Sequence, residues 1–126
     1  MAPPMIITAT TFASARDAVQ AFLDERPYVS GLEKRTIPFL ASLLVLANRQ
    51  NLSNRELWDW ITQDQLGSKL YGITTEAATS NDREETEAAT FILRWLSEEK
   101  RDTGVAIEHN GMRGAAANII GAETLR

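Results

Sequence analysis

The fold of this chain is decided by residues 36–66, which have the sequence TIPFLASLLVLANRQNLSNRELWDWITQDQL. Ile37 to Ala47 is almost continuously apolar, which is typical of a helix that neighbours bury on several sides. Ser53 and Glu56 then have the spacing of a capping box, in which each side chain binds the other residue's free backbone N–H. The sequence therefore predicts two helices joined by a tight turn at Asn51, since asparagine tolerates the left-handed conformation.

The two helices resemble the helix-turn-helix motif of DNA-binding proteins over Leu43 to Thr62. Ala47 stands where that motif needs a small residue, and Asn51 stands where it usually has glycine. The buried positions of the motif are occupied by Leu52, Leu57 and Trp60. The resemblance implies that the start of the second helix faces double-stranded DNA. The residues that would contact base edges or phosphates are Ser53, Asn54, Arg55 and Asp59.

A structural αα-hairpin without DNA contact is the alternative, because any tight hairpin with a capped second helix shares this pattern. Asp59 and Asp64 put negative charge on a helix that would have to face phosphates, which favours the alternative. The basic residues that flank the helix pair are Lys34, Arg35, Arg49 and Arg55.

Two residues are candidates for binding a protein partner. Trp58 lies off the apolar stripe of its helix, and exposed tryptophans commonly anchor interfaces. Arg113 is expected to lie near the tip of a C-terminal hairpin, where it could also contact a phosphate. Trp60 and Trp95, in contrast, lie on the apolar stripes of their helices and are predicted to be core residues.

The N-terminal segment is predicted to be extended, in contrast to the helical domain that follows it. Residues 1–10 contain prolines and no helical periodicity, so we expect an extended N-terminal arm with a short strand at residues 6–9. Residues 11–126 are expected to form a single helical domain. Its first helix should begin at about Phe12 and end near Glu25, before a proline.

The C-terminal segment allows two interpretations. Val105 to His109 alternates in polarity, and Asn110-Gly111 is the preferred dipeptide of a two-residue hairpin turn. We therefore predict a small β-hairpin in which residues 112–117 return as the second strand. The alternative is a helix from Met112 to the end, which Gly114 and Gly121 would weaken by about 1 kcal/mol each.

Composition excludes several classes of function. The chain has no cysteine, so it has neither disulfides nor thiolate chemistry, and a cytoplasmic location is expected. Its net charge of −4 disfavours attraction of the whole surface to nucleic acid or anionic membranes. No apolar stretch has the length of a membrane span. His109 is the single histidine and is expected at the surface, so we predict no metal, no cofactor and no enzymatic activity.

These observations predict a mostly α fold, with four or five helices around a buried central helix and a small C-terminal β-hairpin or extended tail. The predicted function is that of a small non-enzymatic regulatory protein, a homodimer that binds DNA through the helix-turn-helix-like unit. The alternative is a protein–protein interaction or adaptor module with no DNA contact.

Overall fold

The computed structural model describes residues 4–63 and 69–124, and the regular structure in these ranges is entirely α-helical. The mostly α prediction is confirmed, but these ranges hold eight helices in place of four or five. The helices are α1 (Met5–Thr8), α2 (Phe12–Asp24), α3 (Gly31–Arg35), α4 (Ile37–Arg49), α5 (Asn54–Thr62), α6 (Lys69–Ala77), α7 (Arg83–Arg101) and α8 (Thr103–Thr124). None of the described helices is long and apolar enough to cross a membrane.

Helix α4 is the centre of the molecule, as predicted. Every residue from Phe39 to Ala47 is buried, because α2 and α7 pack against it and α1 covers a further part. Leu43 and Leu44 are completely buried. A proline at the second position of α4 is compatible with the helix, because the first-turn N–H groups have no intrahelical partner.

The turn between α4 and α5 has the predicted conformation. Asn51 has a φ of 55°, and its N–H donates to the carbonyl of Asn48 at 3.2 Å. The N–H of Leu52 donates to the carbonyl of Ala47 at 3.0 Å, which completes a Schellman motif. The capping box is also present, since Ser53 Oγ accepts from the Glu56 N–H and the Glu56 carboxylate accepts from the Ser53 N–H.

Helix α5 turns away from α4 and packs mainly against α8. Its buried residues are Leu57, Trp60 and Ile61, as the apolar stripe predicts. Trp95 is buried on α7, so the prediction that Trp60 and Trp95 are core residues is confirmed. The arrangement places one side of α5 in solvent and its opposite side against the C-terminal helix.

The predicted C-terminal β-hairpin is wrong, because residues 103–124 form the single helix α8. Asp102 caps the N-terminus of this helix, because its Oδ1 accepts hydrogen bonds from the N–H groups of Gly104 at 2.8 Å and Val105 at 3.3 Å. The second half of α8 buries Ala116, Ile119 and other apolar residues. This burial, at about 25 cal/mol per Å² of apolar surface, outweighs the helix penalty of the glycines.

The expected strand at residues 6–9, within the predicted extended arm, is wrong as well. Met5–Thr8 is one turn of helix, and Met5 and Ile6 are buried in the core. The N–H of Met5 donates to the carboxylate of Glu123 at 2.9 Å. This buried contact ties the start of the chain to the end of α8, so that α1 belongs to the packed structure.

Candidate functional site

The solvent-facing side of α5 carries three of the six residues predicted to contact DNA or a protein partner. We call the surface formed by Arg55, Glu56, Trp58, Asp59 and Thr62 the α5 face. Arg55, Glu56 and Thr62 are exposed, while Trp58 and Asp59 are partly buried. The face therefore has one cationic and two anionic side chains, which is not the charge that a DNA-binding helix needs.

Asn54, a predicted base-contacting residue, lies at the α8 side of α5. Its side-chain amide donates to the carboxylate of Glu123 at 3.0 Å and to the hydroxyl of Thr124 at 3.3 Å. Its Oδ1 is buried and has no hydrogen-bond partner within the described part of the chain. Ser53, the neighbouring predicted contact, uses its hydroxyl to cap α5. Both side chains therefore have structural roles that compete with contacts to a nucleic acid.

Arg55 and Asp59 lie one helical turn apart and form an exposed ion pair. Arg55 Nε is 3.4 Å from Asp59 Oδ1, and the Arg55 side chain keeps 77% of its surface exposed. The guanidinium also lies 5.6 Å from the ring centre of Trp58. An exposed pair at this spacing contributes about 0.3–0.5 kcal/mol, so Arg55 can exchange its partner at low cost.

Trp58 is partly buried because its indole lies beside Gly121 of α8. A Cβ atom added at that glycine would lie 3.9 Å from Trp58 Nε1, which is ordinary contact distance. Trp58 therefore joins the α5 face to the surface of α8. Its half-exposed position agrees with its place off the apolar stripe of α5.

Arg49, one of the basic residues near the helix pair, is occupied by contacts within the fold. Its Nε donates to Asp82 Oδ2 at 2.5 Å, and its Nη2 donates to the carbonyl of Thr10 at 2.6 Å. The hydrogen bond to Asp82 raises the pKa of Arg49, and the same bond lowers the pKa of Asp82, with help from the N–H of Glu85. Arg49 thus joins the N-terminal segment to the start of α7.

Arg113 lies within a helix and not at a hairpin tip. It forms an ion pair with Glu99 of α7, and each side chain keeps only 14% of its surface exposed. Its guanidinium carbon lies 4.9 Å from the ring centre of Trp95, and its Nη1 donates to Asn110 at 2.8 Å. This placement turns Arg113 inward and leaves little of it for a partner.

His109 was expected at the surface and that prediction is wrong, since it is 7% exposed. Its imidazole stacks on the indole of Trp95, with 3.8 Å between ring centres and 4° between planes. Its Nδ1 lies 3.2 Å from the Glu99 carboxylate, which Arg113 also contacts. The spacing of His109 and Arg113 would have indicated this cluster if residues 103–124 had been interpreted as a helix, because residues four apart share a helix face.

Within the described residues, no group of three histidine, cysteine, aspartate or glutamate side chains could hold a metal ion. No family model, no curated protein and no solved structure matches the chain.

Proposed function

We propose that this chain is a protein–protein interaction module, with a non-enzymatic adaptor or regulatory role, and that it binds its partner through the α5 face. The observation that carries the proposal is the grouping of Arg55, Trp58 and Asp59 on one accessible side of a rigidly held helix. Tryptophan and arginine are the residue types most enriched at the energetic centres of protein interfaces.

The way α5 is held supports this use. Its first turn is fixed by the capping box and by the hydrogen bonds of Asn54 to α8, and its apolar side is buried. A surface on a rigid helix loses little conformational entropy when it binds, which favours affinity. A second copy of the chain is one candidate partner, which keeps the homodimer as part of the proposal.

Site-specific photo-crosslinking tests the proposal. A photoreactive phenylalanine analogue replaces Thr62, which is exposed on α5, and in a matched control it replaces Ala13, which is exposed on α2. We expect a discrete protein adduct from position 62 and none from position 13. An adduct at twice the 14.0 kDa chain mass would identify a homodimer. The absence of any adduct at position 62 would contradict the proposal.

DNA binding is the second candidate, favoured by the left-handed turn at Asn51 and the exposure of Arg55. A gel-shift experiment with random duplexes at low salt tests it. DNA binding predicts a retarded duplex, a steep loss of affinity with added salt, and a loss of about 1–3 kcal/mol of binding free energy in Arg55→Ala. If no duplex is retarded, or Arg55→Ala retards it equally well, this candidate is rejected.

A further inference from the structure

A groove of about 220 Å³ lies beside the α5 face, between α5, the turn that precedes it and α6. Its apolar lining residues are Leu52, Trp60 and Ile73, and its polar lining residues are Gln50, Glu56 and Asp59. This volume is below the roughly 300–1,000 Å³ of pockets for drug-sized ligands, so the groove has room for a side chain.

The ionisable residues that line the groove in the described part of the chain are all acidic. Glu56 and Asp59 are its ionisable lining residues, and no basic side chain from the described part of the chain lines it. The two carboxylates lie three residues apart on α5, on neighbouring positions of the helix surface, and they attract a cation. The apolar lining suits the methylene stem of lysine or arginine, which buries its carbons while its charge stays near water.

The two carboxylates are also available at low cost. Asp59 is paired with Arg55 at 3.4 Å in an exposed contact, which a second cation can replace. Glu56 accepts the N–H of Ser53 at 3.3 Å through Oε1, and this hydrogen bond keeps the carboxylate at the edge of the groove. Neither acid therefore has to break a strong internal ion pair to receive a ligand.

We infer that the groove receives one lysine or arginine side chain from a basic segment of the partner protein. This inference rests on the proposed function, because it assigns the chemistry of the partner at the same helix. Trp58 then contacts the part of that segment outside the groove, so that binding is shared between a cation site and an aromatic contact.

The first test uses an eight-residue oligolysine peptide, with an oligoglutamate peptide of equal length as the control. Nuclear magnetic resonance at low salt follows the indole N–H signals. We expect the Trp60 signal to shift and saturate with oligolysine, whereas the signal of Trp95, which does not line the groove, stays in place. Oligoglutamate should move neither signal. A Trp60 signal that does not respond to oligolysine would overturn the inference.

The second test removes the charges of the groove and keeps its shape. Glu56→Gln preserves the capping box, which accepts glutamine, and Asp59→Asn preserves side-chain size. We expect the double variant to bind oligolysine about tenfold more weakly or worse. The matched control is the double variant Glu87→Gln and Asp17→Asn, which also removes two charges from exposed ion pairs, those with Arg83 at 3.0 Å and with Arg16 at 3.6 Å. Equal weakening in the control would reduce the effect to general charge attraction and overturn the inference.

Failure of the groove and failure of the interface can be distinguished. Adducts at position 62 that persist unchanged in the double variant would keep α5 as an interface and reject the cation site. Saturable oligolysine binding without any adduct at position 62 would keep the cation site and reject the larger interface.

Discussion

Asn51 shows what one residue contributes to the turn that presents α5. Its φ of 55° lies in the left-handed region, where glycine is free of strain and β-branched residues are strongly disfavoured. We expect Asn51→Gly to change the free energy of unfolding by a few tenths of a kcal/mol at most, and Asn51→Val to lower it by about 1–2 kcal/mol. Urea unfolding measures both. Equal stability of the two variants would contradict the turn.

The ion pair of Arg113 with Glu99 gives a second prediction at this scale. Arg113→Ala leaves a carboxylate that is only 14% exposed without its cation, so we expect a loss of roughly 3 kcal/mol of unfolding free energy. Arg35→Ala is the control, because Arg35 lies 3.9 Å from Glu108 in a pair with both side chains more than half exposed. The control should lose less than about 1 kcal/mol in the same urea titration. Similar losses would place Arg113 at the surface.

The local features of these residues were predictable and the distant ones were not. The turn at Asn51 and the cap at Ser53 depend on contacts between residues no more than five apart in sequence, and both predictions are confirmed. The partners of Arg113 and His109 depend on Glu99 of another helix, which sequence spacing alone does not reveal. Of the predicted contact residues, Asn54 has its amide bound to α8, while Arg55 and Asp59 lie together on the α5 face.

At the scale of elements, the glycines of α8 test why this segment is helical. A Cβ atom at Gly114 would meet nothing within 4 Å, whereas one at Gly111 would lie 3.3 Å from Leu32 Cδ2. We expect Gly114→Ala to raise the free energy of unfolding by about 1 kcal/mol, since alanine favours helix. Gly111→Ala should gain less, because Leu32 must shift. Thermal unfolding compares them, and a destabilised Gly114→Ala would contradict the helix.

The wrong hairpin prediction has a physical explanation at the same scale. Asn110-Gly111 favours a turn only when the flanking segments lack a better structure. Here Asp102 caps a new helix directly after α7, and the resulting pair of long helices buries His109 against Trp95. A short alternating pattern could not show that packing. The strand predicted at residues 6–9 is wrong for the same reason. Met5 and Ile6 are buried by helices that lie far away in sequence, and a local pattern does not reveal such contacts.

At the scale of the whole molecule, the contact of Arg49 with Asp82 links stability to pH. The pKa of Asp82 is lowered in the folded state, chiefly by the Arg49 hydrogen bond. Unfolded aspartate has a pKa of about 3.9, so the contribution of this pair is present above that pH and is lost as pH falls through the lower folded pKa. We expect unfolding free energy to decline on acidification over this range.

Asp82→Asn isolates that contribution. Asparagine still caps α7, as Asp82 does through the N–H groups of Glu84 and Glu85, but it cannot titrate. We therefore expect a smaller decline of unfolding free energy from about pH 4 downward in this variant than in the parent chain. Urea titrations at a series of pH values measure the slopes. Parallel slopes would contradict the role assigned to Asp82.

The buried hydrogen bond from the Met5 N–H to the Glu123 carboxylate holds α1 next to the C-terminal end of α8. A short glycine-serine linker from residue 124 to residue 4 should therefore join these two segments without disturbing the fold. The chain can then be cut at another site, because circular permutation is tolerated where the joined segments are adjacent. Tyr28 is 76% exposed in the loop after α2, so new ends between Pro27 and Tyr28 should be tolerated. In such a circular permutant the chain begins and ends in that loop, and a covalent linker connects α1 to α8 in addition to their hydrogen bond.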